Sequence, residues 1–560
     1  MLDRQEVRCS NHLRATLAVR LRAAFFHKLM TLFLILVAVV IFTCVLLNNA
    51  SSKLGMPVLL AFILLGMLFG NNGLIPVHMD DHSFVEQLCT AALVFIMFYG
   101  GFGTRWSSAR PVAVESVLMA TLGVMLTAGI TGLLCHYILS WKWIEALLMG
   151  SVVSSTDAAS VFSILRSRKL GLRNGTAPLL EVESGSNDPC SYMLTIVMLS
   201  MLQGGMGPGR IVLMLLAQLG FGTLFGVAIA WGASWLMKRI RFSAGYDSLF
   251  LIAIALFSYA IPTLCGGNGY LSAYLVGIIL GNGRFEGKKE LVHFFDGFTG
   301  LMQILIFFML GLLARPAQLH HSLLPAVTIF LILLLVARPI ATLLILKPFG
   351  GYSGRQISLI SFCGLRGAAS IVFAIIATVG NEALENDIFN IVFCIVLLSI
   401  ALQGTLIPRV AKKLDMIDPE ADVMTTFSDF SEEMKLQFTE IHIQSNSEWC
   451  NKLVKELQLP AGFLLCSVTR ADGAKELPSG KTLLQDGDSV IVCSKSYSGA
   501  EDIKVIPVTV GREFEGKPVS AFRANDSQII MVGRGNDRII PRGDTILEKG
   551  DVLYVHKRIR

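Results

Sequence analysis

Charged residues are scarce in this chain. Only 16% of its 560 residues are Asp, Glu, Lys or Arg, 53% are hydrophobic, and the mean hydropathy is +0.62. So little charge cannot solvate the surface of a soluble protein of this length; the composition is that of a polytopic membrane protein. Paired cysteines are lacking too. The eleven cysteines are scattered, mostly in apolar stretches such as those of Cys44, Cys89, Cys135, Cys265 and Cys394, and no Cys-x-x-Cys occurs. They read as small packing residues and exclude a disulfide framework or a thiolate metal site. No Gly-x-Gly-x-x-Gly follows a strand in the polar tail, so a bound nucleotide is unsupported and no cofactor is expected. The net charge of +6 sits in basic loops between apolar runs and gives no reason to invoke nucleic acid.

Apolar runs of roughly 17–25 residues, each long enough to span a bilayer, recur from about Leu32 to about Val410; we count about thirteen. The expected fold is a polytopic α-helical membrane protein with a small α+β tail. Alternate loops are basic: Arg105 and Arg110; Arg166, Arg168, Lys169 and Arg173; Lys238, Arg239 and Arg241; Arg284, Lys288 and Lys289; Lys347 and Arg355. The loops between them carry little base (Lys142, Arg210, Arg315) or are acidic, around Asp80-Asp81 and Glu382 to Asp387. The excess of base places these loops, and the tail after Arg409, in the cytosol of a bacterial inner membrane. Thirteen spans then put the N-terminus outside, which conflicts with Arg4, Arg8, Arg14, Arg20, Arg22 and Lys28. An interfacial amphipathic helix, a count off by one, or a start at Met30 would each resolve this, and the last is favoured. The expected organisation is a basic extension over 1–30, a membrane domain over 31–413, a linker over 414–437, and two small lobes over 438–497 and 503–558.

Two short segments inside apolar stretches carry the chemistry: Ser155-Thr156-Asp157-Ala158-Ala159 in the fifth span and Glu183-Ser184-Gly185-Ser186-Asn187-Asp188 in the sixth. A carboxylate at membrane depth needs a partner, a proton or a cation, so the default reading is an ion or proton pathway. Small hydroxylated residues around Gly150-Ser151 and Ser154-Ser155-Thr156 can satisfy backbone groups where a helix unwinds inside protein. The twelfth span has a matching interruption, Phe362-Cys363-Gly364-Leu365-Arg366-Gly367-Ala368-Ala369-Ser370. Paired broken helices mark a transporter's midplane site, where helix ends and freed carbonyls meet a cation. On the sixth span Ser184 and Asp188 share one helix face, and Glu183 and Asn187 the adjacent one. Pro189 removes a backbone bond just after Asp188. Burial favours the protonated form of a carboxyl unless a cation replaces the proton, and one group holding either is the minimum chemistry for exchange.

In these motifs, at matching order and spacing over essentially the whole membrane region, the chain resembles the NhaP-type sodium (potassium)/proton antiporters of the monovalent cation:proton antiporter superfamily. The resemblance implies inverted repeats and broken crossing helices. It makes Asp188 the shared proton and cation carboxylate, with Ser184 and Glu183 helping to coordinate the ion. It gives Thr156 a backbone carbonyl at the unwound point, so that Asp188, Ser184 and Thr156 form the cation's oxygen set, and Asp157 a role through water or helix-end electrostatics. It pairs Glu183 with Arg366, with Asn187 nearby. Electrogenic relatives have Asp-Asp where this chain has Asn187-Asp188, which implies electroneutral one-for-one exchange. Many relatives continue Gly-Ala-Val-Pro where this chain reads Gly367-Ala368-Ala369-Ser370, a departure at the helix break. An architectural role is the alternative for the Glu183–Arg366 pair. Arg338, before Pro339, is read as structural, and Glu86, Glu115, Glu145 and His136 as interfacial.

The tail repeats itself. Pro478-Ser479-Gly480-Lys481-Thr482-Leu483-Leu484 leads to Gly487-Asp488, and Pro541-Arg542-Gly543-Asp544-Thr545-Ile546-Leu547 leads to Gly550-Asp551. Each Gly-Asp is a turn signal before a short apolar strand, Val490-Ile491-Val492 or Val552-Leu553-Tyr554-Val555. The pattern resembles the TrkA C-terminal, or RCK-C, regulatory domain. The first copy matches well; the second is shorter and also compatible with a different small domain. The resemblance implies a homodimer and a small cytosolic regulatory ligand, as in potassium channels and transporters. A dimerisation module without ligand is the alternative.

The expected function is electroneutral exchange of potassium for protons by alternating access, serving cation and pH homeostasis, and not an enzyme activity. Potassium is favoured because the tail resembles domains of potassium systems, and sodium is the first alternative. A ligand-gated potassium channel is disfavoured because no Thr-Val-Gly-Tyr-Gly filter is present and paired broken helices are not needed for a pore. A membrane sensor without transport would not need Asp188 to titrate.

Overall fold

The computed structural model describes residues 35–46, 58–70, 82–418 and 436–557, apart from short stretches within them. The basic extension and most of the expected linker lie outside the described residues. The chain divides into a helical unit ending at Ser431 and a tail unit starting at Glu432.

Among the described residues of the first unit, seven helices are long and apolar enough to cross a membrane: His82–Gly103, Arg110–Leu139, Pro208–Arg239, Tyr246–Leu264, Glu290–Leu313, Leu319–Phe349 and Ile388–Lys413. Shorter apolar helices include Val37–Leu46, Leu59–Phe69 and Gly269–Gly281. These do not by themselves establish the expected thirteen spans. Small residues let the helices approach closely. A Cβ at Gly101 would collide with the backbone of Tyr274, and one at Gly277 with that of Phe98, so the helices carrying them touch backbone to backbone. The Pro208–Arg239 helix turns Leu213, Leu216, Leu224 and Trp231 outward, as expected of a helix bathed in lipid.

Three features position the site. Two helices are interrupted: Trp143–Val152 resumes as Ala158–Ser167, and Gly354–Phe362 resumes as Ala368–Thr378. Between them in sequence runs the continuous helix Thr176–Leu202, which contains Glu183 to Asp188 and tolerates Pro189 internally. Local π-helical turns, one hydrogen-bond step looser than α and often found at functional sites, occur at Leu333–Ala337, just before Arg338, and at Ser399–Gly404. The segment just after the last helix is tied down: Ile417–Asp418 pairs antiparallel with Gly171–Leu172.

Among its described residues the tail holds two four-stranded antiparallel sheets of the same connectivity. In each, the last strand lies between the first and second, and the third continues the sheet beyond the second: Leu436–His442, Phe463–Thr469, Lys475–Glu476 and Ser489–Lys495 in one lobe, and Val505–Thr509, Ser527–Arg534, Asp537–Ile539 and Val552–Lys557 in the other. The repeated Gly-Asp has a repeated purpose. Asp488 accepts from Gln485 N at 2.8 Å and from Arg470 Nη1 at 2.7 Å; Asp551 accepts from Glu548 N at 2.8 Å and from Arg534 Nη2 at 2.8 Å. Each buried aspartate thus closes its turn and anchors an arginine at the end of the neighbouring strand, Arg470 just past it and Arg534 its last residue. Val490, Val492 and Leu484 fill one core, and Val532, Leu547 and Leu553 the other.

Candidate functional site

The two helix breaks meet. Asp157 N in the first donates to Leu365 O in the second at 2.8 Å. Unwinding leaves carbonyls without their helical partners, and buried carbonyls must find donors. Arg366 supplies them: its Nη1 donates to Ser154 O at 2.8 Å and to Ser155 O at 2.6 Å. A cation is thereby held at the carbonyl end of the Trp143–Val152 helix, where the helix dipole favours positive charge. Arg366 N donates to Ser399 Oγ at 3.0 Å, and Gln403 Nε2 donates to Phe362 O at 2.5 Å, so the π-helical turn of the last helix holds the second break open.

Four residues of the Thr176–Leu202 helix, at i, i+3, i+4 and i+7, reach the first break. Ser184 Oγ donates to Thr156 O and accepts from Ala158 N, both at 2.9 Å. Asn187 Nδ2 donates to Thr156 Oγ1 at 2.5 Å. Asp188 Oδ1 accepts from Ser155 Oγ. Ser191 Oγ donates to Ser151 O at 2.6 Å. Asp157 turns the other way and caps the resuming helix, accepting from Ser160 N at 3.1 Å and from Ser160 Oγ at 2.5 Å. A Cβ at position 367 would run into the Asp157 carboxylate, so a glycine there is what allows the breaks to close on each other.

Glu183 departs from expectation. Its Oε1 pairs with Arg338 Nη2 at 2.5 Å, with both side chains buried, whereas Arg366, the expected partner, bonds to carbonyls. The geometric reason is that Glu183 points away from the break faced by Ser184 and Asp188, toward the helix that begins after the π-helical turn. Glu145, read as interfacial, is in fact 2% exposed. It accepts from Glu385 N at 2.8 Å, Asn386 N at 2.9 Å and Asn386 Nδ2 at 2.8 Å, fixing the loop before the last helix. His136 Nδ1 lies 2.6 Å from Trp141 O, and its ring stacks on Trp143 at 3.9 Å.

A cavity of about 730 Å³ reaches this junction; Ser155, Thr156, Asp157, Ser184 and Asp188 border it, and Glu183, Asn187 and Arg366 do not. These bordering residues offer oxygens: the carboxylates of Asp157 and Asp188, the hydroxyl groups of Ser155, Thr156 and Ser184, and backbone carbonyls. Such a set suits a hard cation stripped of part of its water. The sequence reading gave Ser155 only a part in satisfying the unwound backbone, whereas it touches Asp188 directly, and it overlooked Ser160, which holds Asp157. The density of hydroxyl groups in Ser151 to Ser163 was the available signal.

The family model for the transmembrane sodium/hydrogen exchanger matches residues 23–413, and the TrkA-C domain model matches 438–497 and 503–556. The chain belongs to the sodium/hydrogen exchanger family. It is 33% identical over 485 residues to a protein named K(+)/H(+) antiporter NhaP2 from Shewanella sp. (strain ANA-3), covering 84% of each chain. It is 34% identical to the K(+)/H(+) antiporter NhaP of Alkalimonas amylolytica, covering 80% of this chain and 78% of that one. The solved structure of the sodium proton antiporter MjNhaP1 from Methanocaldococcus jannaschii superposes with a TM-score of 0.61, at 23% identity, over 67% of this chain and 97% of that chain. That likeness establishes the helical exchanger fold. The second TrkA-C match also resolves the shorter lobe, which shares the sheet connectivity of the first.

Proposed function

We propose that this protein is a potassium/proton antiporter in which Asp188 holds either a proton or a potassium ion. The observation that supports this reading most is the placing of charge. Glu183 is paired with Arg338, Arg366 donates to the carbonyls of the first break, and Asp157 is engaged as a helix cap. Among the described residues, Asp188 is the carboxylate at the junction that borders the cavity with a serine hydroxyl as its one bonded partner.

A cation arriving at Asp188 would take Oδ1 from the Ser155 hydroxyl. It would recruit the oxygens of Ser184 and Thr156, which in this state bond to each other. Loading therefore exchanges hydrogen bonds between the central helix and the break for bonds to the ion. A proton on Asp188 satisfies the same carboxyl without disturbing Ser184 and Thr156. Occupancy of one carboxylate is thereby coupled to the packing of the break against the central helix, the differential interaction that alternating access requires. One carboxylate serving one proton or one monovalent cation makes the exchange electroneutral.

Potassium is favoured by the names of the similar curated proteins and by the TrkA-C lobes. Sodium is the second reading, favoured by the description of the matching membrane family. The loop charges favour a tail in the cytosol, the bacterial relatives favour an inner membrane, and the TrkA-C lobes favour a homodimer that responds to a small cytosolic ligand. The deciding test is dequenching of a pH dye in everted vesicles, with potassium and sodium compared at equal ionic strength. Potassium-driven dequenching is expected, and a response to sodium alone would reverse the assignment.

A further inference from the structure

The helix Lys288–Leu313 is polar along one stripe in a way that packing does not require. Asp296, Thr299, Gly300 and Gln303, at i, i+3, i+4 and i+7, all border the cavity that contains Asp188, with Phe307 one turn further along. The other side of the helix is buried: Phe295 lies against Phe98 and Phe102, and Phe298 meets Phe95 edge to face at 4.9 Å. Asp296 is exposed, and Tyr99 Oη donates to it at 3.4 Å. A carboxylate two turns inside a membrane helix is costly unless it faces water and does work there.

The Thr176–Leu202 helix carries a corresponding ladder of Glu181, Ser184 and Asp188 on the same cavity. Both helices start at loops rich in base, after Arg173 and at Lys288. From Glu181 to Asp188, and from Asp296 to Gln303, the rise is about 10 Å. Two oxygen-bearing ladders therefore run from the same end of the bundle toward the break.

We propose that Asp296, Thr299 and Gln303 form the wall along which a monovalent cation travels between the basic-loop side and Asp188, with Asp296 as the outer capture group. This rests on the reading of Asp188 as the exchange site. A fixed negative charge in a low-dielectric mouth raises the local cation concentration and the rate of arrival. It acts on apparent affinity more than on turnover.

The test uses the full-length protein in proteoliposomes, with potassium and sodium as the probes. Asp296→Asn raises the cation KM about three- to tenfold, lowers the maximal rate less, and flattens the dependence of KM on ionic strength; Asp296→Glu restores all three. Gln303→Glu adds a charge on the same wall and lowers KM, so the wall is tested even where Asp296→Asn does not fold. Exchange lost in Asp188→Asn, with KM and its salt dependence unmoved by Asp296→Asn or by Gln303→Glu, overturns the path and leaves the exchange site standing. Exchange retained in Asp188→Asn overturns the exchange site itself.

Discussion

Glu183 and Arg338 form a buried ion pair at 2.5 Å, and Arg366 holds the carbonyls of the first helix break. The two arginines thus have separate duties, one neutralising the central helix and the other closing a helix end. Removing one member of a buried pair leaves an uncompensated charge, at a cost of about 3–5 kcal/mol. Glu183→Ala and Arg338→Ala should each lower the melting temperature in detergent, and the double variant should be less harmful than their sum. A larger coupling of Glu183 with Arg366 than with Arg338 in the same melts would reject this pairing.

Asp188→Asn should abolish exchange and leave the protein folded. The amide is nearly isosteric and still accepts from Ser155, but it carries neither the exchanged proton nor the countercharge of a cation. Proton flux in everted vesicles checks this, with the melting temperature as a control. More than about half the wild-type rate would remove Asp188 from the mechanism.

The broken helices, the central helix and the repeat in the tail were legible because each leaves a local mark: hydroxyl runs, Gly-rich interruptions, carboxylates at membrane depth, and Gly-Asp turns. The partner of Glu183 was not. Glu183, Arg338 and Arg366 lie on three different elements, and helix periodicity fixes a side chain's face but not which of two arginines stands opposite. Glu145 was misread for the same reason, since its donors are backbone groups of a loop some 240 positions away. Ser155 was visible as one hydroxyl among several, and only the fold selects it as the partner of Asp188.

Gly367→Ala should impair exchange, although φ at 367 is −142° and so not left-handed. The obstacle is the Asp157 carboxylate, which a methyl group would displace. Moving it removes the cap from the Ala158–Ser167 helix and separates the breaks joined by Asp157 N and Leu365 O. A helix cap alone is worth about 1 kcal/mol, so the protein should still fold while exchange falls well below half. Wild-type exchange in Gly367→Ala would show that the contact between the breaks is dispensable.

The second tail lobe should be sensitive to acid through Asp551. The hydrogen bond from Arg534 holds its carboxyl below the usual range for an aspartate. A depressed folded value means stability that is present above the unfolded pKa, about 3.9, and is lost as pH falls through the lower folded value. Proteolysis of the lobe in the full-length protein should therefore accelerate below about pH 4, and Arg534→Met should flatten that dependence. An equally steep pH profile in Arg534→Met would assign the acid sensitivity to other carboxylates.

Where the chain is cut should decide whether the membrane unit survives without its tail. The candidate ligands of the exchange site lie between Ser155 and Asp188, those of the proposed ion path between Asp296 and Gln303, and the tail lobes bury cores of their own. The short segment after the last helix nevertheless belongs to the membrane unit. Arg173 N donates to Met416 O at 3.0 Å, Asp415 lies 3.2 Å from Arg173 Nη1, Met416 is buried, and Ile417 and Asp418 pair with Leu172 and Gly171. These contacts fix the loop between the resumed helix Ala158–Ser167 and the central helix, and so the alignment of Asp157 with Asp188. Truncation after Asp418 should leave a folded exchanger whose pH threshold or cation affinity differs from the full-length protein. Truncation after Leu414 should lose exchange as well. The check is to compare both truncations with the full-length protein across pH in proteoliposomes. Equal activity of the two truncations would show that the 415–418 segment is not needed to hold the site. Identical pH and cation profiles for the longer truncation and the full-length protein would leave the tail as an assembly module only.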